Sequence, residues 1–538
     1  MNPSSHNLTA KTSGPELHRR IRQRARDFGR DESGVLIVFG LIIFVMMLIV
    51  GGMAVDLMRF ETTRAKLQAT ADRCSLAAAS LRQTQDPETV VNDCFDKAGA
   101  LEYLAGTVVT NGFNARTVSA EVDANVDSVF MQMIGIESLQ APTDSTAEER
   151  ITDVEISLVL DVSNSMNSSS RIQNLKTAAS SFVDTIFAGD TENKISLTLV
   201  PYNGQVNLGT TLLSRYNVSA QHTYNTCVDF TTSHFSTTAL STTTALTRSD
   251  NIDPWYSTST TQMLYCATGS SGATQLVRPY LRNTTTIKAA INGLIANGNT
   301  SIDIGMKWGM AFLDPGTQGV ITAQIATGAI PAYFAGRPYA FDREDTAKII
   351  VIMSDGENTS EFTLNSAYKT GNTDVYRNPS NGTVTIYHPT RSGTSKYYQL
   401  TSSQISSGSS GNWFTSVNGG ASAVRYTWPS LFNAYPVNWV AYHLYARPLG
   451  GSTTTWYNTF VTSVAPATKD TRLDAICDAA KAQGVRVFTI GFEAPAAGIT
   501  ALSNCASAPA DFFDVDGLEI STAFQTIARQ ISQLRLTQ

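Results

Sequence analysis

Residues 154–166 read VEISLVLDVSNSM. A branched, apolar run of strand length ends in a carboxylate, Asp161, followed by hydroxyls at alternate positions, Ser163 and Ser165. A continuous apolar run bounded by a polar turn is the pattern of a strand buried on both faces. The pattern recurs in KISLTLVPYN (194–203), KIIVIMSDGEN (348–358) and VRVFTIGF (485–492). Helical stretches alternate with these runs. RIQNLKTAASSFVDTIF (171–187) is amphipathic, TIKAAINGLIANG (286–298) is expected to end at Gly298, TRLDAICDAAKAQG (471–484) stops at a glycine, and ISTAFQTIARQISQLRL (520–536) closes the chain. Helices alternating with wholly apolar strands predict an α/β fold with a mostly parallel sheet and helices on both faces.

In such sheets ligands sit beyond the carboxyl ends of the strands. Asp161 and Asp355 both fall there. Two carboxylates converging on one edge repel unless a cation or proton lies between them. Ser163 and Ser165 stand on the turn after Asp161, and GNTSIDIG (298–305) brings Thr300 on a loop entering a helix. The set is all oxygen, with two acids and three neutral hydroxyls. That chemistry suits octahedral Mg²⁺ or Mn²⁺ with waters completing the shell. Such an ion keeps net positive charge and can accept a carboxylate from a partner protein. Helix capping by Ser and Asp explains one of these elements but not three that converge.

DVSNSM, Thr300 and SDGEN together resemble the D-x-S-x-S, T and D elements of the metal-ion-dependent adhesion site of von Willebrand factor A domains. The resemblance implies a von Willebrand factor A-like, Rossmann-like fold. It also implies that Ser163, Ser165 and Thr300 bind the metal directly, and Asp161 and Asp355 directly or through water. Asn164 and Asn299 stand where glycine is frequent in that family; Asn tolerates a left-handed turn, so the loop at 164 is expected to survive.

Upstream, GVLIVFGLIIFVMMLIVGGMAV (34–55) carries no charge. At 1.5 Å per residue it reaches about 33 Å, enough to span a bilayer core. Six arginines precede it, at 19, 20, 22, 24, 26 and 30. The positive-inside rule then keeps the N-terminus in the cytoplasm and exports everything after Val55. The apolar run is too long for a cleaved signal peptide and no A-x-A site follows it. DLMRFETTRAKLQATADRCSLAAASLRQ (56–83) lacks Pro and Gly and is expected to continue the helix as a stalk, with Leu57, Phe60, Leu67, Ala71, Cys74 and Ala78 along one face. Residues 107–147 alternate weakly and predict a small strand region. The Arg-rich tail, the apolar helix with its Ala-rich continuation, and the closing FTIGFEAPAAGITALSNC…LRLT resemble the Tad (tight adherence, Flp) pilus assembly proteins of the TadG type. Pseudopilins of that system carry a Glu after a processing glycine; Gly34 is followed by VLIVF, so a retained anchor is expected.

The expected organisation is a basic cytoplasmic tail (1–33), a transmembrane helix (34–55), an exported stalk with a strand region (56–150) and an A-type domain (151–538). Segments 208–285 and 359–468, rich in Ser, Thr, Tyr, Asn and Gly, are expected to be insertions, the second flanking the metal edge. The net charge of −6 gives no nucleic-acid footprint, and charged residues make up only 16% of the chain. Six cysteines fit an oxidising compartment, and proximity favours 74–94, 227–266 and 477–505. No zinc, P-loop or G-x-S-x-G motif is present, and only distant His388 or His443 could approach the acidic cluster as a base. The resulting expectation is a non-enzymatic, single-pass protein of a bacterial inner membrane, assembling or adhering through a metal-held protein partner of the envelope or pilus machinery. A free-standing surface adhesin is the alternative and a hydrolase a more distant one. Neither composition nor motif sets an oligomeric state.

Overall fold

The computed structural model describes residues 14–29, 33–80, 85–112, 115–150, 153–188, 190, 192–253, 259–260, 262, 265–266, 268–343 and 345–537. It divides into two compact units, residues 1–150 and 151–538.

In the first unit one helix runs unbroken from Ser33 to Ala79. It is the one helix among the described residues long and apolar enough to cross a membrane, and none of its apolar window is buried. Beyond the window the helix becomes amphipathic. Leu67, Ala71, Cys74 and Ala78 are buried, against Val91 and Phe95 of the helix Pro87–Lys97 and Val118, Ala120 and Val122 of a sheet. Leu57, expected on the same face, is exposed, because it lies one residue, about 100° around the helix, from the buried Asp56. The sheet is three-stranded and antiparallel, from Leu104–Gly112, Ala115–Val122 and Thr143–Arg150. A disulfide joins Cys74 of the long helix to Cys94. Asp86 caps the second helix by accepting from the Thr89 amide, with Pro87 in the first turn, where its missing N–H costs nothing.

The second unit is built on a six-stranded sheet. Its strands are β1 (Asp153–Asp161), β2 (Ile195–Tyr202), β3 (Arg278–Leu281), β4 (Thr346–Ser354), β5 (Arg486–Phe492) and β6 (Phe512–Val515). Their spatial order is β3-β2-β1-β4-β5-β6. All neighbours are parallel except β3, an antiparallel edge, so the sheet is mixed. Every residue of β1 and β2 is buried, including the polar Glu155, Ser157, Ser196 and Thr198, and Glu155 is paired with Lys348 of β4.

Helices α1 (Arg171–Phe187), α2 (Thr284–Asn292) and α6 (Glu519–Thr537) cover one face, against Val154, Ile156, Leu158 and Leu160. Helices α3 (Ile302–Ala311), α4 (Pro466–Ala482) and α5 (Ala496–Cys505) cover the other. Helix α3 is buried along its whole length. It can lie so close because Gly305 and Gly309 face the sheet; a Cβ at either would meet Tyr202 at 2.7 Å or Val159 at 2.5 Å.

Two sequence expectations need correction. Helix α2 ends at its cap Gly293, not at Gly298. Residues 294–299 instead run to the sheet edge, where the Asn297 amide donates to the Val162 carbonyl at 2.8 Å and the Asn164 amide to that of Gly298 at 2.9 Å. The segment expected to interrupt the domain through residue 285 stops earlier, since Arg278–Leu281 is the sheet's own edge strand. The remainder is tied down by the Cys227–Cys266 disulfide and by Lys307 of α3, whose ammonium donates to the carbonyls of Thr237 and Ala239 at 2.7 and 3.0 Å.

Between β4 and α4 the chain forms a neck and a body. Glu361–Leu364 pairs antiparallel with Val461–Val464. Beyond that ribbon lies a five-stranded antiparallel sheet, ordered 412–414, 397–400, 384–387, 372–377 and 424–427. It has its own apolar core, including Val375, Ile386, Leu400, Phe432 and Trp439. A polar composition had concealed that core.

The third disulfide, Cys477–Cys505, joins α4 to α5 across 28 residues of chain, with Cα atoms 5.1 Å apart. Closing a loop of that length stabilises by roughly 3–4 kcal/mol in the chain-entropy model. Replacing both cysteines by alanine should lower the unfolding free energy by about that amount in chemical denaturation; an unchanged midpoint would show that the bridge does not stabilise the domain.

Candidate functional site

The sheet order reverses between β1 and β4, and the crevice beyond their carboxyl ends is where such folds bind ligands. The parallel register pairs Met353 with Leu160. Asp161 therefore leaves β1 level with Ser354, and Asp355 follows one residue on. Asp161 is fully buried and Asp355 nearly so.

Each carboxylate is held by short hydrogen bonds. Asp161 accepts from the Ser163 amide at 2.7 Å and from the Ser354 hydroxyl at 2.6 Å. Asp355 accepts from the Ser165 hydroxyl at 2.7 Å. The Ser163 and Ser165 hydroxyls lie 2.9 Å apart, so Ser163, Ser165 and Asp355 form one chain of oxygens. Thr300 is buried on the facing loop. A Cβ built on Gly356 would lie 3.5 Å from Thr300 Oγ1 and 3.9 Å from Ser165 Oγ, which places both hydroxyls beside the same turn. All five residues singled out in the sequence thus sit around one edge.

Burial raises the pKa of Asp161 well above the usual carboxylate range, and the neighbouring Asp355 charge pushes it further. Burial raises Asp355 too, opposed by its bonds to Ser165 and Arg171. Among the described residues no group of three or more His, Cys, Asp or Glu side chains could hold a metal ion. Any cation here would take hydroxyl oxygens as well as the two carboxylates, a donor set that fits a small hard ion.

Several residues at this edge escaped the sequence reading. Arg171, the first residue of α1, donates to Asp355 Oδ2 at 2.9 Å and to Glu493 Oε2 at 2.8 Å. A cation at a helix N-terminus opposes the helix dipole unless an anion sits beside it, and that mismatch was the available signal. Lys469, fully buried in α4, donates to the Thr300 carbonyl at 2.9 Å, the Ser301 hydroxyl at 2.6 Å and the Thr359 carbonyl at 2.9 Å. Asp303 lies 3.7 Å from its ammonium. Asn358 accepts from the Ile302 amide at 2.8 Å and so caps α3.

The glycine requirement also falls elsewhere than expected. Asn164 lies in a 3₁₀ turn, Asn164–Asn167, and the left-handed residues of that loop are Ser169 and Ser170. On the facing loop it is Gly298, with φ +82°, that takes the left-handed conformation beside Asn299. The two histidines that could have approached as bases are engaged elsewhere. His388 Nε2 lies 3.0 Å from the Leu444 carbonyl and His443 stacks on Trp439, both within the 359–468 body.

Residues 34–81 match a family model described as Tad, putative Flp pilus-assembly TadE/G-like. The match covers the apolar helix and its continuation to the end of the long helix. It fits a membrane-anchored protein, and the three disulfides accompany it on the same chain. A search of curated proteins finds no match. Among solved structures, the chain is similar to the vWF domain of the type V pili tip protein Mfa5 from Porphyromonas gingivalis. Identity is 14% and the TM-score 0.31, covering 72% of this chain and 98% of that one. The adhesive tip pilin GBS104 from Group B Streptococcus agalactiae is 12% identical with a TM-score of 0.32, covering 70% and 99%. The PilB minor pilin from Streptococcus sanguinis is 13% identical with a TM-score of 0.30, covering 79% and 77%.

A buried acid with a raised pKa costs the fold nothing below its unfolded value, near 4, and its full amount above the raised value. In the presence of chelator, Asp161→Asn should therefore stabilise the protein by roughly 1–3 kcal/mol at pH 8. The gain should shrink as pH falls toward 4. Calorimetric melting at both pH values checks this; a loss of stability at pH 8 would mean that the carboxylate is a net structural asset without a cation.

Proposed function

We propose that this chain is a membrane-anchored component of a Tad (Flp) pilus system, of the TadG type, whose A-type domain binds a protein partner through a divalent cation. The family match on residues 34–81 supports the pilus assignment. The observation that carries the binding role is the oxygen cluster itself: two buried carboxylates that repel each other across adjacent strand ends, with three hydroxyls beside them. In this reading Asp161, Ser163, Ser165, Thr300 and Asp355 hold Mg²⁺ or Mn²⁺, directly or through water. With a carboxylate held only through water, the ion keeps an open coordination position, and together with the Arg171 guanidinium it attracts a carboxylate of the partner. Arg171 keeps Asp355 turned toward Ser165 and adds positive charge at the same edge.

By the positive-inside rule the six arginines before the apolar run support a topology with the N-terminus in the cytoplasm and the A-type domain outside the inner membrane. A reporter active only in the periplasm and fused after Gln538 should work, and one active only in the cytoplasm should not. The reverse would overturn the topology.

Asp161→Ala should abolish Mn²⁺ binding in titration calorimetry while circular dichroism stays unchanged, and capture of envelope partners should be lost. Equal metal affinity in both proteins would sink the site. Metal loss with undiminished capture would move partner binding to the 359–468 body. Loss of the protein from envelopes when pili are sheared away would favour an adhesin over an assembly component.

A further inference from the structure

Residues 128–136, SVFMQMIGI, contain no charge. They form the tip of a hairpin in the first unit. Asn125–Asp127 pairs with Ser138–Gln140, the Ser128 amide donates to the Glu137 carbonyl at 2.9 Å, and Met131–Ile134 makes a 3₁₀ turn. The charges of Asp127 and Glu137 stay at the stem. At the tip, Val129, Ile134 and Ile136 are exposed, and Met133 is 66% exposed. Apolar side chains gathered at one tip and left to water mark a surface with a partner.

What the tip is fastened to identifies that partner. Asp56 of the long helix is 2% exposed. Its carboxylate accepts from the amides of Val129, Phe130 and Met131 at 3.1, 2.7 and 2.8 Å. One helical turn earlier, Gly52 receives the Phe130 ring; a Cβ there would lie 2.4 Å from Phe130 Cγ. Gly52 belongs to the uncharged run that ends at Val55. At 1.5 Å per residue it lies about 4–5 Å inside that run's end. Whatever solvent surrounds the helix at Gly52 therefore also surrounds Phe130 and its exposed neighbours. Val55, Leu57 and Met58 of the helix are also exposed at this level. Three charge-assisted hydrogen bonds let the Asp56 carboxylate sit at this depth without water.

We propose that the 128–136 tip is a second membrane contact, seated among lipid acyl chains at the exported face of the bilayer beside the anchor. The proposal rests on the reading of residues 34–55 as a membrane span. A lone spanning helix is free to swivel about its axis; a side contact fixed to it at Gly52 and Asp56 stops that rotation and sets how the stalk leaves the membrane.

The test uses the full chain in liposomes. No cysteine among the described residues is free, so an introduced thiol is the one that labels. Met133→Cys, Met46→Cys within the span and Leu518→Cys on the A-type domain are each labelled with a polarity-sensitive fluorophore. Quenching is read with shallow and deep spin-labelled lipids and with aqueous iodide. The label at 133 should be quenched by shallow lipid and shielded from iodide several-fold relative to 518, while that at 46 responds to deep lipid. A label at 133 as open to iodide as that at 518, with 46 still in lipid, overturns the tip contact and leaves the anchor standing. Iodide access at 46 overturns the anchor reading itself. Shielding at 133 from both quenchers means a protein covers the tip, a second copy or another partner, and overturns the lipid assignment. Asp56→Asn should raise iodide access at 133 toward the 518 value; unchanged shielding would overturn the part given to Asp56.

Discussion

The parallel register of β1 against β4 is the constraint on which the second unit turns. Pairing Leu160 with Met353 brings two aspartates to the end of adjacent strands inside a buried edge. Neither side chain can retreat, because the strands that carry them are packed on both faces. The fold therefore has to supply compensation locally. It does so with hydroxyls, a backbone amide and one guanidinium, each within hydrogen-bonding distance of a carboxylate oxygen.

Compensation of this kind works only if the loops that supply it are rigid, and each is held from below. The Thr300 loop is held by the buried Lys469 ammonium, itself facing Asp303. The loop after Asp355 is held by Asn358, which accepts from the Ile302 amide of α3 and donates to Asp470 of α4, and by the start of α5. There Gly498 approaches so closely that a Cβ would lie 2.3 Å from the Gly356 carbonyl oxygen. Such bracing draws on distant parts of the chain. Lys469 follows Thr300 only after the whole 359–468 body has intervened, and α3 reaches the sheet only because two of its positions lack side chains.

Much of the main sheet was legible because burial on both faces writes an unmistakable apolar run, as in β1, β2, β4 and β5. Asp161, Ser163, Ser165, Thr300 and Asp355 were legible as neighbours because each stands where a strand ends or a helix begins. The edge strand β3 was not, since RPYL is short, polar at one end and paired on one side only. The end of α2 was misplaced because LIAN after Gly293 keeps helical spacing, while tertiary hydrogen bonds from Asn297 and to Gly298 draw it out as loop. Ser354 and Lys469 were missed for a different reason. Their roles depend on partners far away in the chain, and no local pattern encodes a partner. The 359–468 core went unseen because its apolar residues are scattered among Ser, Thr and Asn in strands of only three to six residues.

The neck at Glu361–Leu364 and Val461–Val464 divides the second unit into a sheet and an appended body. Leu364 and Val461 are direct partners across the ribbon, so the body beyond them enters and leaves by a single doorway. Partnered Cα atoms lie about 4.5–5.5 Å apart, a gap that a two-residue turn spans. A short turn at the doorway would close the ribbon without altering the register of β4, and the body's other ties, from Lys369 to Asp229, Asn251 to Asn433 and Gln262 to the Phe432 carbonyl, run to the segment before β3 and not to the sheet. The domain thus pairs an acidic edge, fixed by its sheet, with a body whose backbone the sheet meets at one ribbon only.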